Sequence, residues 1–461
     1  MIARWRGLSV SPAETMTAER RARGRQDVTI LFMLRAYPDV DHLAPLMWKC
    51  LEKGDGVLAV FWRPFPYRDD YRIRFQQRYP RFSILAPRIA TSRSRLGRLA
   101  ARLVWSPRQW ASVLERHRVS ACCVDWGRSL FPGRGWSRMS LIRRAIRDPA
   151  SFGERVRLAL RLLAPPPIRT ALLEAARARG LPTFCLPHAV QTVLAPDYRD
   201  LLAAGRRAPG DAPPADIYGR SRYSAYVYPN EFHRQLSIRY QGIDPSVTAT
   251  WGSLRYSEPW MRIVGEICPP WTGPAATKGR VRLFFAVPRW SQVSDRARLL
   301  SLLDSIVDRG DVDLVCKPHP RPTRGADADV LRRILERPGV WLATDAHTPA
   351  LIDGTDAALV LASAVAIEAL VKGKALIYPR YLHANRVAFD EEGACLRALG
   401  PEDVHRFLDG LARGEPAPVT PGAIDRALRT LVYGGRAPFD VPEYYYAQIR
   451  QRIDAASPRR P

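Results

Sequence analysis

Apolar residues recur along this chain in short unbroken runs rather than in long alternating stretches. Val28-Thr29-Ile30-Leu31-Phe32-Met33-Leu34 is the first and Gly56-Val57-Leu58-Ala59-Val60-Phe61 the second. Runs of this kind, bounded by polar loops, predict strands covered on both faces, as in parallel sheets. Between them Leu43 to Leu51 has a helical pattern, preceded by Arg35-Ala36-Tyr37-Pro38-Asp39-Val40-Asp41-His42, read as a loop. This order of strand, helix and strand opens a doubly wound α/β domain.

The pattern continues with strands at Val119–Val124, running into Asp125-Trp126-Gly127, at Pro182–Leu186, followed by Pro187-His188, at Tyr223–Tyr228 and at Val247–Thr250. Helices are predicted at Leu96–Trp105, Pro107–Arg116, Phe152–Leu163, Ile168–Arg179 and Glu231–Arg239, with Gly180 placed to stop the fourth. Residues 68–118 are arginine-rich and otherwise hard to parse. Cys268-Pro269-Pro270-Trp271-Thr272-Gly273-Pro274 interrupts the periodicity and reads as a linker. Beyond it the pattern restarts, with strands at Val281–Val287, Val312–Lys317, Val340–Ala343, Ala357–Leu361 and Ala375–Tyr378. Helices are expected at Asp295–Val307, Asp327–Glu336 and Ala364–Val371.

Length agrees with that division, since 461 residues exceed what one hydrophobic core normally serves. The expected organisation is a basic tail at 1–27, a Rossmann-like half at 28–250, a linker region at 251–279, a second Rossmann-like half at 280–440, and a tail or helix at 441–461. The two halves are expected to face each other across a cleft. Net charge is +26, from 71 Lys and Arg against 45 Asp and Glu, which favours anionic partners. The seven cysteines form no C-x-x-C pair, so neither a zinc site nor a disulfide framework is indicated, and a reducing cytoplasm fits. No apolar run approaches the ~18 residues of a membrane span, and residues 1–25 contain no secretory hydrophobic segment.

Ligands of open parallel sheets bind beyond the carboxyl ends of the strands. Lys317-Pro318-His319-Pro320-Arg321 stands at one such end, where two prolines hold the imidazole in a stiff loop. Ser363 stands at another, as the expected N-cap of a helix whose free amides suit a phosphate. Glu368, farther along that helix, is placed to accept hydrogen bonds from ribose hydroxyls. Arg289 and Arg255 follow other strands and are suited to a phosphate or sugar carboxylate, and Asn385 lies a short loop beyond the last βαβ unit. In the first half, His188 is the candidate base, with Asp39, Asp41 and His42 after the first strand and Asp125 after another.

Lys317-Pro318-His319-Pro320 together with Ser363, Glu368-Ala369 and Gly373-Lys374 resembles the second domain of GT-B glycosyltransferases of bacterial surface and capsular polysaccharide synthesis. That group includes Kdo transferases, polysialyltransferases and CDP-glycerol glycerophosphotransferases. The resemblance covers roughly 250–400 and implies that His319 and Ser363 hold the phosphate and ribose of a CMP- or CDP-linked donor, with Glu368 nearby. Two departures stand out. No acidic-acidic-glycine motif is present in the first half, and Ala189 follows His188 where glycerophosphotransferases carry glycine.

The expected activity is therefore transfer of a sugar, such as Kdo or another acidic sugar, from a nucleotide donor to a surface glycan or glycolipid. No metal site and no cofactor beyond the donor are expected. Partners would be the nucleotide-activated sugar, the glycan acceptor and the anionic cytoplasmic face of the inner membrane, with no nucleic acid. Alternatives are a CDP-polyol phosphate transferase, a UDP-sugar 2-epimerase, and a non-catalytic protein that binds anions or nucleic acid. The epimerase requires several acidic residues converging in the cleft, and the sequence alone does not assemble them.

Overall fold

The computed structural model describes residues 28–62, 66–86, 101, 104–126, 167–194, 220–288, 293–318, 332–383 and 385–456. The helix expected at Phe152–Leu163, most of that at Leu96–Trp105 and the start of that at Asp327–Glu336 lie outside them.

Among the described residues thirteen strands form two sheets. The first contains β1 (Thr29–Leu34), β2 (Gly56–Phe61), β3 (Phe82–Leu85), β4 (Val119–Asp125), β5 (Thr183–Leu186), β6 (Ala225–Tyr228) and β7 (Thr248–Thr250), in the order β3-β2-β1-β4-β5-β6-β7. The second contains β8 (Val281–Ala286), β9 (Val312–Lys317), β10 (Val340–Leu342), β11 (Ala357–Leu359), β12 (Ala375–Pro379) and β13 (Leu396–Ala398), in the order β10-β9-β8-β11-β12-β13. Every ladder is parallel. In each sheet the order reverses once, between β1 and β4 and between β8 and β11. Such a switch point opens the crevice where α/β sheets bind ligands.

Burial explains the unbroken apolar runs. Ile30, Phe32 and Leu34 face one core, while Leu31 and Met33 face another across the sheet. The period-two alternation of a strand persists, but both faces are covered, so no polar residue marks it. The core under Ile30 and Phe32 continues to Phe284, Ala358 and Ile367 of the second sheet, so one apolar mass joins the halves.

Two crossings hold them in register. After β7, Gly252 adopts φ +92°, and a Cβ there would meet the carbonyl oxygen of Val432 at 2.8 Å, so only glycine fits. The last helix, Val441–Ala456, then returns to the first half, where Tyr445 donates to the Gly252 carbonyl at 2.8 Å and its ring meets Trp251 edge-on at 5.0 Å.

Three expectations need correction. The stretch read as a loop at Arg35–His42 is largely helix, which spans Tyr37–Glu52, because Pro38 and Asp39 are first-turn residues and not breakers there. The linker region contains a helix, Glu258–Ile267, whose Trp260 and Val264 bury against the joint core. The helix after Ser363 begins at Val365 with Ala364 as its cap, one residue later than expected.

Candidate active site

The loops after β1, β4 and β5 meet at the first switch point, and each delivers a candidate residue. Asp39 sits in the first turn after β1, where its Oδ2 accepts from the amides of Arg35 at 2.8 Å and Ala36 at 3.2 Å. Its other oxygen, Oδ1, is buried without a hydrogen-bond partner among the described residues. Asp125 ends β4 and is 1% exposed; Arg35 meets its Oδ2 at 2.7 Å and Arg169 its Oδ1 at 3.2 Å. His188 follows β5 through Pro187, with Nδ1 3.8 Å from Asp125 Oδ2 and without a hydrogen-bond partner among the described residues. One ligand-type atom from each of Asp39, Asp125 and His188 lies within 4.8 Å of the others.

Charge decides what that spacing is good for. Two guanidiniums already balance the two carboxylates, so a divalent cation would enter against positive neighbours, whereas a proton adds less charge and needs no coordination shell. Burial, and then the nearby charge of Asp125, push the Asp39 carboxyl up to about 7. Burial lowers the His188 imidazole to about 4 despite the favourable Asp125 charge, with Arg35 and Arg169 acting in the same direction as burial. At neutral pH the cluster thus holds a carboxyl poised to exchange its proton beside a neutral imidazole. Trp126 flanks it, its ring 6.0 Å from that of His188 and its indole donating to the Val227 carbonyl at 2.8 Å.

Asp41, two residues after Asp39, turns the other way. Residues two apart lie about 200° apart around a helix, so they cannot share a face. Asp41 pairs with the fully buried Arg72 and with Arg255. Arg72 also forks onto Asp70 at 2.6 and 3.0 Å and lies 4.2 Å over the ring of Tyr37. Arg255 reaches across to the second half and donates from Nη2 to Glu368 Oε2 at 3.2 Å. Asp41 is therefore the centre of a chain of alternating charge, Asp70, Arg72, Asp41, Arg255, Glu368, and stands apart from the proton site.

On the second sheet Glu368 is 1% exposed, and its Oε1 has no hydrogen-bond partner among the described residues. Burial raises its affinity for a proton, which Arg255 opposes. Ser363 accepts from the Val365 amide at 3.3 Å, so its oxygen already serves the helix start. Lys317 donates to the carbonyls of Thr344 at 2.6 Å and Ala346 at 2.7 Å, tying down the loop that carries His347. His347 meets Tyr37 of the first half, Nδ1 to hydroxyl, at 3.3 Å. His319, Arg321 and Arg289 lie outside the described residues. His42, expected to face the cleft, is only 4% exposed and packs edge-on to Tyr256 at 6.3 Å, a core position. Asn385 accepts from the Tyr378 hydroxyl through its backbone carbonyl at 3.3 Å.

The His188 loop is also secured from across the cleft. The amide of Leu194 donates to the Arg386 carbonyl at 2.9 Å, and that of Ala388 to the Thr192 carbonyl at 2.8 Å. Reasoning from sequence missed Arg35, Arg169 and Arg72. Arg35 follows β1 directly, a position that does mark it, but the other two carry no distinguishing pattern in so arginine-rich a chain.

No protein-family model matches the chain, and no curated protein sequence does. Solved structures do resemble it in fold. A UDP-GlcNAc 2-epimerase from Neisseria meningitidis bound to UDP-GlcNAc superimposes with a TM-score of 0.52 at 11% identity, covering 92% of this chain and 100% of that one. A glycosyltransferase from Rickettsia africae gives 0.51 at 10% identity over 93% and 99%. A UDP-GlcNAc 2-epimerase from Methanocaldococcus jannaschii gives 0.50 at 12% identity over 92% and 100%. With two parallel sheets reversing order at facing switch points, the chain has the GT-B fold.

Proposed function

We propose that this chain is a nucleotide-sugar enzyme that moves a glycosyl group from a nucleotide donor to an acceptor hydroxyl. The observation that carries the reading is the convergence of Asp39, Asp125 and His188 on the first switch point, with Asp39 Oδ1 and His188 Nδ1 left without hydrogen-bond partners among the described residues. Residues 28–250 form the acceptor half in this reading and 280–440 the donor half. The proton of the acceptor hydroxyl passes to the cluster as its oxygen bonds to the anomeric carbon. The bond from that carbon to the donor phosphate breaks, and the electron pair leaves with the nucleotide. Ser363, the amides near it and the His319 loop meet the phosphate charge, and Glu368 takes the ribose.

The resemblance in Lys317-Pro318-His319-Pro320 and Ser363 supports a CMP-linked acidic sugar as donor and a surface glycan as acceptor. The basic excess of the chain suits an acidic acceptor or the anionic inner leaflet. Among the described residues no helix is long and apolar enough to cross a membrane. A second reading, a UDP-sugar 2-epimerase, gains from one observation. Two acidic side chains, Asp39 and Asp125, converge in the cleft, a grouping that the sequence alone does not assemble.

A thermal-shift panel of CMP, CDP, UDP, GDP and ADP tests the donor site. A nucleotide at 100 times its Kd stabilises by ~2.7 kcal/mol. Selective stabilisation by CMP or CDP, lost in His319→Ala, supports the transferase. A preference for UDP, followed by solvent-deuterium incorporation into UDP-GlcNAc, establishes the epimerase, because inversion at C2 requires breaking a carbon–hydrogen bond. No response to any of the five overturns both.

A further inference from the structure

The ion chain between the two halves has a geometry that its charges alone do not explain. Arg255 faces two carboxylates and divides its guanidinium between them, Nη1 to Asp41 and Nη2 to Glu368 Oε2. A guanidinium beside a single carboxylate normally forks onto both its oxygens. Here it does not, and Glu368 keeps Oε1 buried and without a hydrogen-bond partner among the described residues. Asp41 is held in place in turn by Arg72, which is 0% exposed and anchored by Asp70.

We infer that Asp41 is a positioning residue for the nucleotide ribose, acting through Arg255. By engaging one arm of the guanidinium it prevents Arg255 from closing a two-pronged pair on Glu368, and so leaves one buried carboxylate oxygen unpaired, an acceptor for a ribose hydroxyl that displaces what covers it. Asp41 touches no substrate in this scheme. It acts from the half opposite the donor, so ribose recognition exists only while the two halves are together. The inference rests on Glu368 being the ribose acceptor.

The test compares equilibrium affinities of UDP and CMP with those of their 2′-deoxy and 3′-deoxy counterparts. Wild-type protein favours a ribonucleotide over at least one deoxy form by about ten- to a hundredfold, as expected for a hydrogen bond to a charged acceptor. In Asp41→Asn that preference falls to about threefold or less, because the freed guanidinium swings onto Glu368 and occupies Oε1. The double variant Asp41→Asn/Arg255→Lys regains it, since an ammonium is a single point charge and cannot cover both oxygens. A merely structural role predicts the reverse, with the double variant worse than the single. Wild-type protein that binds nucleotide without distinguishing ribose from deoxyribose overturns the Glu368 reading and the inference together. Discrimination in wild type that survives unchanged in Asp41→Asn overturns the inference alone. Should Asp41→Asn fail to fold, Arg255→Lys by itself is decisive. Retained discrimination there supports the scheme, because nothing is left to fork onto Glu368, and lost discrimination contradicts it.

Discussion

Asp39 and Asp41 stand two residues apart in one helix turn, yet they belong to different machines. Asp39 lies under the first switch point with one oxygen unpartnered, beside a second carboxylate and a neutral imidazole. Asp41 lies on the other side of the turn, clasped by two arginines. The difference is one of completeness. A buried polar group left without a partner costs free energy that evolution retains mainly where the group has work to do, whereas a fully paired one contributes to holding the structure. In the proposed reading the first cluster takes the proton of the acceptor, and the second braces the halves while setting how Arg255 meets Glu368.

The largest expected effect separates them by turnover. Asp39→Asn should lower kcat by about 10²–10⁴-fold, the usual contribution of positioned acid–base catalysis, with nucleotide affinity nearly unchanged. Asp41→Asn should act chiefly on nucleotide affinity. Steady-state kinetics on whichever nucleotide sugar the binding panel selects would break the comparison if Asp41→Asn cost as much in kcat as Asp39→Asn.

Stability should divide the arginines in the same way. Arg72 is fully buried between Asp70 and Asp41, so Arg72→Met strands Asp70, takes one of two partners from Asp41 and should cost about 3–5 kcal/mol. Arg35, with its side chain 28% exposed, should cost less when replaced by methionine. Denaturant midpoints measure both.

How much of this was readable in advance follows from the same contrast. The strands were legible because parallel strands buried on both faces must be written as apolar runs, and β1, β2, β8 and β9 are. Asp39, Asp125 and His188 were legible one at a time, each as a polar residue just past such a run. Their meeting was not, because it depends on β1, β4 and β5 being neighbours, and long crossovers separate them in sequence. The sequence groups Asp41 with Asp39 because Arg35–His42 reads as a loop; with the helix beginning at Tyr37, a two-residue offset places them on opposite sides. Arg72 and Arg169 look in sequence like any other of the chain's many surface arginines. The helix Glu258–Ile267 is hidden in the sequence because the neighbouring Pro269-Pro270 and Gly273-Pro274 dominate the local composition.

A moderate effect is expected from pH, with opposing signs inside one cluster. Asp39 is held at about 7 in the fold against an ordinary 3.8, so the native state keeps a proton that the unfolded chain has lost. That contribution makes stability fall as pH rises from about 4 to 7. His188 is held at about 4 against an ordinary 6.5, so there the unfolded chain takes up a proton that the fold refuses. Its contribution makes stability fall as pH drops from about 6.5 to 4. The two oppose each other in wild type. Thermal melts of Asp39→Asn should expose the histidine slope, and those of His188→Gln the aspartate slope. Parallel pH curves for all three proteins would break the account.

The smallest effect belongs to the second half. Ser363 accepts one amide at 3.3 Å, so Ser363→Ala should change stability by about 1 kcal/mol or less while weakening nucleotide binding. Calorimetric titration beside a thermal melt separates the two.

The most direct test of the central contrast is a titration of ¹³C-carboxyl-labelled aspartate by NMR, which requires no substrate. A single carboxyl resonance titrating near pH 7, absent from the spectrum of Asp39→Asn, is the predicted result. A spectrum in which every aspartate titrates below pH 5 would contradict the assignment of a proton-transfer centre to the first switch point.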